Sequence, residues 1–390
     1  MMRHAILRSL PLLAGCLLLL TGCWDRKELN NVAIVMGVGI DKGQGEEYKV
    51  TAQVIKPSPP NKGGGGGSEL PTWSLTAKGT TVLDAINELN RISPRRLYWP
   101  HTQLLLLGRE LAESGVGGIL SWFERDRDSR SGTYIAVTHG KAEDLLNQKI
   151  ELGNVPSKAI VELIESAIQR QLTSRRTTLR DFISVLSTPG IDAAVDVIDS
   201  RAIRGKVETY ELRGAAVFKG DRLKGFLPSE EASTIEMASG TFKDAVINIP
   251  CPQEGMSGEV SFTVTDFQRK ISMTLESGRP VMGLRMIVEG NLSDQSCPVR
   301  LLQEDLRSKV EAAIGQRIQQ AVKTSFAKTS KWGADIFGVG RELHRTHPSV
   351  WRQQGQEWDR NLATAKLQPS VSVSIRRSGL VLEPTPAGMR

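Results

Sequence analysis

The first 23 residues contain the feature that most constrains this chain, because they decide which part of it folds and in which compartment. Arg3, His4 and Arg8 form a short cationic segment, and residues 10–20 form an apolar run interrupted by one proline and one glycine. This run has about the length of the apolar core of an export signal and is shorter than the roughly 20 apolar residues that a transmembrane helix needs. The sequence therefore predicts that residues 1–22 are a signal peptide.

Cys23 stands at the predicted cleavage point, in the sequence Leu20-Thr21-Gly22-Cys23. Small residues before the cysteine suit a signal peptidase, and a thiolate is the nucleophile that a lipid transferase requires. We therefore interpret the segment as a bacterial lipoprotein signal and predict that Cys23 carries the lipid. Two long acyl chains attach a protein firmly to a membrane, whereas one chain is marginal. The alternative is a plain signal peptide or a buried N-terminal helix, in which Cys23 has no special role.

The composition is that of a globular protein without a nucleic-acid partner. Hydrophobic residues make up 39% of the 390 residues and charged residues 24%, and this length is enough for two or three domains. The net charge is +7, but both signs are mixed along the chain, so no basic tail or stripe indicates nucleic-acid binding. Export from the cytosol also argues against that class of partner.

Cys251 and Cys297 are the two cysteines that follow the predicted lipid site. Both lie beside proline, in Pro250-Cys251-Pro252 and Ser296-Cys297-Pro298. A disulfide is permitted outside the cytosol, and it would close a loop of 45 intervening residues. The sequence leaves both alternatives open, a disulfide or two free thiols.

Residues 23–200 are predicted to form an N-terminal region of small mixed α/β subdomains. Its first part, 23–75, contains two strand patterns at 32–40 and 48–55 that predict a hairpin. Three prolines and a run of five glycines follow within residues 57–68, and this composition predicts an exposed loop.

The second part of this region, 76–200, is predicted to be mixed α/β. Thr81 and Asp84 have the spacing of a capping box, which starts a helix over residues 81–91. Short apolar runs at 103–107 and 133–138 with a helical pattern between them predict a βαβ-like unit with parallel strands. Further helices are predicted at 110–123, with an interruption at its glycines, at 159–171 and at 179–186.

Residues 201–390 are predicted to form a C-terminal domain in which an antiparallel sheet packs with a long helix. A helix over residues 301–326 has an apolar residue at every fourth position. Because an α-helix repeats every 3.6 residues, this stripe drifts around the helix, as suits a helix lying across a twisted sheet. The whole chain is therefore predicted to be multi-domain α+β. Strands are predicted at 207–218, 246–249, 260–267, 271–275, 281–289 and 371–375.

No motif in the sequence predicts catalysis, a cofactor or a metal site. His344 and His347 could share a helix face, but no further ligand pattern accompanies them. Ser325 and Lys328 match a Ser-x-x-Lys pattern, but the partner motifs of the penicillin-binding enzymes are missing. We therefore predict that the protein is not an enzyme.

Two segments are rich in aromatic residues and are candidates for contact with partners. One is Leu97-Tyr98-Trp99-Pro100-His101, and the other, residues 332–358, contains Trp332, Trp351 and Trp358. Large aromatic side chains are enriched at protein interfaces. The alternative for these tryptophans is ordinary packing in the core.

Several short motifs together resemble one known family, Ger(x)C, the C subunit of spore nutrient-germinant receptors. The first motif continues from the lipid site as Cys23-Trp24-Asp25-Arg26-Lys27-Glu28-Leu29-Asn30. The resemblance is collinear from Cys23 to about residue 380. The other motifs are Gly39-Ile40-Asp41-Lys42, Arg96-Leu97-Tyr98-Trp99, Gly214-Ala215-Ala216-Val217-Phe218-Lys219, Gly225-Phe226-Leu227 and Asp335-Ile336-Phe337-Gly338-Val339-Gly340, with Trp351 and Trp358 behind the last.

This resemblance implies a non-enzymatic, palmitate-bearing lipoprotein on the outer face of the cell membrane or spore inner membrane. It implies two integral-membrane receptor subunits as partners and a role in nutrient-triggered germination. The functional residue that the family supplies is the lipidated Cys23. Two alternatives come from other classes of protein. A solute-binding lipoprotein of a transporter needs two similar lobes around a cleft, and an anchored cell-envelope enzyme needs a catalytic motif.

Overall fold

A computed structural model describes residues 32–55, 72–125, 130, 132–150, 155–169, 175–203, 205–242, 245–252, 255, 257–297 and 304–377. The predicted signal peptide, Cys23 and the predicted loop at 57–68 lie outside these residues. Two sheets with helices packed on them make up the described fold. Nine strands form the first sheet and four form the second.

The first sheet is mixed, with the strand order β3-β2-β1-β5-β6-β7-β8-β9 and with β4 paired to the start of β1. Strands β1 and β2 form the predicted antiparallel hairpin. Strands β1, β5, β6 and β7 run parallel, which confirms the parallel pairing predicted for the βαβ-like unit. The strands are β1 Val32–Lys42, β2 Tyr48–Ile55, β3 Thr72–Gly79, β4 Arg96–Tyr98, β5 Leu104–Gly108, β6 Tyr134–Thr138, β7 Ala194–Ile203, β8 Lys206–Lys219 and β9 Arg222–Leu227.

Helices cover both faces of this sheet, and its strands β5 and β6 are buried at every residue. Each residue of β5 is buried, and its alternate leucines belong to two separate apolar clusters, one on each face. This double burial explains why β5 reads as a continuous apolar run. The helices are α1 Val82–Ile92, α2 Arg109–Ser114, α3 Gly117–Arg125, α4 Ala142–Leu146, α5 Pro156–Gln169 and α6 Leu179–Leu186.

The start and the interruption of the predicted helices are confirmed. The Thr81 hydroxyl accepts a hydrogen bond from the Asp84 N–H at 3.1 Å and caps α1. The helix predicted over residues 110–123 is divided into α2 and α3 at Gly115, whose φ of +120° is a conformation that L side chains rarely adopt.

The second sheet has the order β10-β11-β12-β13. Two details differ from the sequence-based prediction. The two strands predicted at 260–267 and 271–275 are one continuous strand with local irregularities, and the last strand pairs with β12 in parallel rather than antiparallel fashion. A long helical crossover between β12 and β13 returns the chain to the same end of the sheet, and a parallel pair needs such a connection. The strands are β10 Val246–Pro250, β11 Glu259–Glu276, β12 Arg279–Gln295 and β13 Lys366–Arg377.

The long predicted helix is present as α8, Glu304–Lys331, and packs against β13 and β10. Its buried face follows every fourth residue from Val310 to Val322 and then continues at Ser325 and Thr329. The three-residue step corrects the drift of the stripe and keeps one face on the sheet. Over the residues described, no helix combines the length and the apolar character that crossing a membrane requires. The remaining helices are α7 Ser229–Ser239, α9 Val339–Thr346, α10 Pro348–Gln354 and α11 Trp358–Leu362.

The predicted domain division at residues 200 and 201 falls within β7, and the first sheet continues beyond it to Leu227. Antiparallel pairing of β7 with β8 therefore carries the chain from one predicted domain into the other. In the second sheet, Cys251 and Cys297 form a disulfide, with a Cα–Cα distance of 5.9 Å. The disulfide joins the segment after β10 to the segment after β12.

Candidate functional site

The segment 332–358 lies where the two sheets meet, and we refer to the contact of its residues 335–340 with residues 190–192 as the junction. Residues 190–192 precede β7 of the first sheet, and residues 335–340 lead into α9. Their backbones are hydrogen-bonded to each other. The Asp192 N–H donates to the Asp335 carbonyl at 2.9 Å, and the Arg341 N–H donates to the Gly190 carbonyl at 2.7 Å.

Asp335 is the central carboxylate of the junction and is only 1% exposed. It accepts hydrogen bonds from the N–H groups of Val339 at 2.9 Å and Gly340 at 2.7 Å, and from Trp358 Nε1 at 3.0 Å. Burial raises the pKa of Asp335 to about 6, although these hydrogen bonds oppose the rise, and the nearby Asp192 adds to it. The carboxylate therefore connects the start of α9 to α11.

An ion-pair network extends this contact to β8. Asp192 Oδ2 accepts from the Asp335 N–H at 2.8 Å and from Lys219 Nζ at 3.2 Å, and Lys219 also contacts Asp359 Oδ1 at 2.5 Å. Burial alone would lower the pKa of Lys219, but its two carboxylate partners outweigh that effect and raise the pKa. Removing one partner of such a half-buried network would leave uncompensated charge.

Two glycines allow the backbones to approach closely. Gly190 has φ +75°, and a β-carbon on it would lie 2.3 Å from the Gly340 carbonyl carbon. A β-carbon on Gly340 would lie 2.6 Å from the Trp358 ring. Real contacts of this kind are longer than 3.0 Å. Gly340 of the Asp335–Gly340 motif and Gly190 opposite it are therefore needed for this close packing, which the sequence alone does not show.

The three candidate interface tryptophans have different surroundings. Trp358 is 5% exposed and belongs to the core of the second sheet, so its prediction as an interface residue is corrected. Trp332 is half-buried and packs on Gly225 of β9, where a β-carbon would lie 2.7 Å from the ring. Trp351 is half-buried, with ring centroids 5.3 Å from His344 and 5.4 Å from Trp358. Trp351 and Trp332 keep an exposed part that could contact a partner.

The candidate side chains for catalysis or metal binding, those of His344, His347, Ser325 and Lys328, all contact other side chains or the backbone. His344 stacks on Trp351, and His347 Nδ1 lies 2.9 Å from the Thr346 hydroxyl. Ser325 Oγ donates to the Glu231 carbonyl at 3.2 Å, and Lys328 pairs with the Glu231 carboxylate at 3.0 Å. Within the described residues, no group of three or more His, Cys, Asp or Glu side chains is placed to hold a metal ion.

A second buried carboxylate, Asp41, belongs to the Gly39-Ile40-Asp41-Lys42 motif. Its oxygens accept from the N–H groups of Ala142 at 2.7 Å and Glu143 at 2.9 Å, which caps α4 from a distant strand. Burial raises the pKa of Asp41, and these two hydrogen bonds lower it in part. Sequence reasoning missed this cap because residues 41 and 142 are far apart in the chain.

A third polar cluster contains two atoms without a hydrogen-bond partner, Arg175 Nη1 and Glu236 Oε1. Arg175 Nε donates to the Ala194 carbonyl at 2.9 Å. Burial raises the pKa of Glu236 to about 8, partly opposed by the charge of Arg175 and assisted by Asp196. Glu236 lies on α7 and Arg175 precedes α6, so this cluster brings charged side chains of α7 and of the segment before α6 near each other.

The aromatic segment at 97–101 lies at the end of the molecule where the described chain begins. Strand β4 pairs in parallel with the first residues of β1, and Arg96 lies opposite Val32. Beyond it, the Trp99 and Trp122 rings meet edge to face at 6.1 Å, and both are half-buried. The rings of Trp99 and Trp122 are therefore neither fully packed in the core nor fully exposed to a partner, because one part of each ring is packed and the other part is exposed.

These features define a protein of two sheets with helices packed on them, in which polar contacts occupy the junction. Residues 25–200 match the family model described as the spore germination protein N-terminal domain, and residues 213–379 match the spore germination B3/GerAC-like C-terminal model. The chain therefore belongs to the Ger(x)C family of spore germination proteins, which confirms the resemblance found in the sequence and supports a role in germination.

Individual relatives are distant but match over almost their full length. Spore germination protein KC of Bacillus subtilis (strain 168) is 25% identical over 400 residues, which is 97% of each chain. Spore germination protein B3 of the same strain is 24% identical over 381 residues, covering 94% of this chain and 96% of the relative. The crystal structure of the GerBC protein is similar, with a TM-score of 0.53 at 19% identity, covering 90% of this chain and 99% of that one. This similarity confirms the multi-domain α+β fold class.

Proposed function

We propose that the protein is a membrane-anchored lipoprotein subunit of a spore nutrient germinant receptor and that it acts by contacts with integral-membrane subunits. The single observation that supports this most is the family assignment over both parts of the chain. The lipoprotein signal ending at Cys23 supports attachment to the outer face of the spore inner membrane. In this proposal the protein performs no catalysis and needs no cofactor.

The geometry of the junction favours this function over the solute-binding alternative. A solute-binding lipoprotein closes two similar lobes around a cleft, whereas the two sheets here have nine and four strands and different topologies. Their junction is crossed by the hydrogen bond from the Asp335 N–H to Asp192 and by the Lys219–Asp359 ion pair, and both would have to break for the sheets to separate. A filled polar contact of this kind suits a protein that acts as one body.

Replacement of the lipidated cysteine tests the proposal. Cys23→Ser is compared with Cys16→Ser, which removes a thiol from the apolar run of the signal and leaves the lipid site intact. We expect palmitate labelling, membrane association and nutrient-triggered germination in wild type and Cys16→Ser, and loss of all three in Cys23→Ser. Co-purification with two membrane subunits should fall with the membrane association, because confinement to one membrane raises the effective concentration of partners.

Two results would contradict the proposal. Palmitate labelling that persists in Cys23→Ser would remove the lipid site from this cysteine. Full nutrient germination by spores whose Cys23→Ser protein is abundant but no longer in the membrane would show that anchoring has no part in the function. Neighbouring genes for an ATPase and a permease, rather than for two membrane subunits of a receptor, would favour the transporter alternative.

A further inference from the structure

The surface between α1 and β4 combines exposed cations with exposed apolar side chains. Residues 91–99 read Arg-Ile-Ser-Pro-Arg-Arg-Leu-Tyr-Trp, and in this stretch only Leu97 is buried. Ile92 is 55% exposed, which is high for a large apolar side chain at the end of a helix. The half-buried rings of Trp99 and Trp122 lie against the core with their remaining parts open. Such a mixture of cations, an aliphatic residue and tryptophans suits the interface of a lipid bilayer.

Two of these cations are available to a ligand. Arg91 pairs with Glu88 at 2.6 Å, whereas no carboxylate in the described part of the chain pairs with Arg95 or Arg96. The turn that holds them is ordered by Ser93, whose hydroxyl donates to the Arg95 carbonyl at 2.6 Å. Helix α3, which carries Trp122, ends with one charge of each sign, Glu124 and Arg125. The end of this helix therefore does not cancel the positive charge of Arg95 and Arg96.

The position of this surface in the chain indicates what covers it. Arg96 is paired with Val32, and Val32 is nine residues after Cys23. Nine residues span at most about 30 Å even when fully extended. If Cys23 carries the lipid, as proposed above, Val32 is always within that distance of the bilayer surface, and Arg96 lies one strand spacing of about 5 Å from Val32. A lipid surface is therefore the occupant that the tether presents to these side chains.

We propose that Ile92, Arg95, Arg96, Trp99 and Trp122 form a membrane-docking surface that binds anionic lipid headgroups and orients the protein on the bilayer. The arginines bind headgroup phosphates, and Ile92 and the tryptophan rings enter the boundary between headgroups and acyl chains. This inference rests on the proposed anchoring at Cys23, but it concerns a separate contact that exists without the lipid.

Vesicle binding by an unlipidated chain tests this surface independently of the anchor. The chain from residue 23 onward, which includes every described residue, carries Cys23→Ser, and its partition onto phosphatidylglycerol–phosphatidylcholine vesicles is measured by sedimentation. We expect binding to rise with the phosphatidylglycerol fraction and to weaken at high salt. Each cation near an anionic membrane adds about fivefold to partitioning, so Arg95→Gln with Arg96→Gln should reduce it about 25-fold.

Two matched controls localise the effect. Arg279→Gln with Arg285→Gln removes the same charge from exposed positions of β12 and should leave most of the binding. Leu83→Asn matches Ile92→Asn, because Leu83 is 54% exposed on the same helix, nine residues earlier and therefore on the other side of the helix axis. Ile92→Asn should weaken binding severalfold, and Leu83→Asn should not.

Three outcomes would overturn the proposal. The first is absence of binding to anionic vesicles. The second is an equal loss of vesicle binding when Arg95 and Arg96 or Arg279 and Arg285 are replaced. The third is an equal loss of vesicle binding in Ile92→Asn and Leu83→Asn. A fourth would replace the lipid by a protein partner: unchanged vesicle binding by the Arg95→Gln, Arg96→Gln chain together with lost germination in spores. Because the chain used for vesicle binding has no acyl group, its failure leaves the Cys23 experiment unaffected.

Discussion

Replacing Asp335 by asparagine tests whether the junction contains a buried carboxylate that titrates near neutrality. The substitution keeps the size and shape of the side chain and removes its ionisable group. It exchanges one acceptor oxygen for an NH2 group that faces a donor, either a backbone N–H or Trp358 Nε1. The stability lost through this exchange depends on how the amide is oriented. The pH dependence of the free energy of unfolding does not depend on that orientation, and it is therefore the decisive quantity.

The expected magnitude follows from the pKa of Asp335, which burial raises from 3.8 to about 6. A group with a raised pKa in the folded state binds more protons there than in the unfolded state. Its contribution to stability is therefore fully present below about pH 4 and is lost as the pH rises through about 6. With about 1.4 kcal/mol for each pKa unit, wild type should lose about 3 kcal/mol relative to Asp335→Asn across this range.

Urea unfolding followed by tryptophan fluorescence between about pH 4 and pH 7.5 measures this difference, and Trp358 reports directly from the site. Asp305→Asn is the matched control, since it removes a carboxylate from the exposed first turn of α8. The free energy of unfolding of wild type minus that of Asp335→Asn should fall as the pH rises. The same difference between wild type and Asp305→Asn should not fall with pH. A constant difference, or one that grows with pH, would refute the assignment of a raised pKa to this carboxylate.

Two further predictions concern the second sheet. Cys251→Ser with Cys297→Ser should lower the free energy of unfolding by about 2–4 kcal/mol. A reductant should destabilise wild type but leave the variant unchanged. Equal stability of both proteins under oxidising conditions would contradict a stabilising disulfide. Trp351→Ala should weaken association with the membrane subunits about 30-fold at normal protein abundance, as for an aromatic anchor worth about 2 kcal/mol. Trp73→Ala removes an exposed tryptophan of β3 and should not weaken it. Low abundance of Trp351→Ala would show that Trp351 is a core residue instead.

Local patterns in the sequence were sufficient for most elements. The Thr81–Asp84 cap, the apolar run that became β5 and the four-residue stripe of α8 each predicted a feature that the structure contains. These features depend on neighbouring residues and on burial against a sheet. The resemblance to the family also needed only short motifs read in order.

The polar contacts between distant residues could not be predicted in this way. Asp335 occurs in a glycine-rich motif that resembles the family, but its partner Asp192 is 143 residues away and has no motif of its own. The parallel pairing of β13 likewise depends on where the helices after β12 return the chain, which no local period encodes. Trp358 looked like Trp351 in sequence, but in the fold Trp358 is buried and donates its ring N–H to Asp335, whereas Trp351 is half-buried.

The junction has a consequence for how this protein could respond to its partners. Separating the two sheets would break the Lys219–Asp359 ion pair and the hydrogen bond from the Asp335 N–H to Asp192, and it would expose the buried carboxylate of Asp335 to water. A hydrogen bond to a charged group is worth about 1.5–3 kcal/mol. The two backbone hydrogen bonds of the junction would break as well, so an open form would be a minor part of the population. We therefore expect the two sheets to move together. On such a body, docking of Arg95 and Arg96 on the membrane would also fix the height and direction of Trp351 above it, so that a partner subunit meets this tryptophan in one orientation.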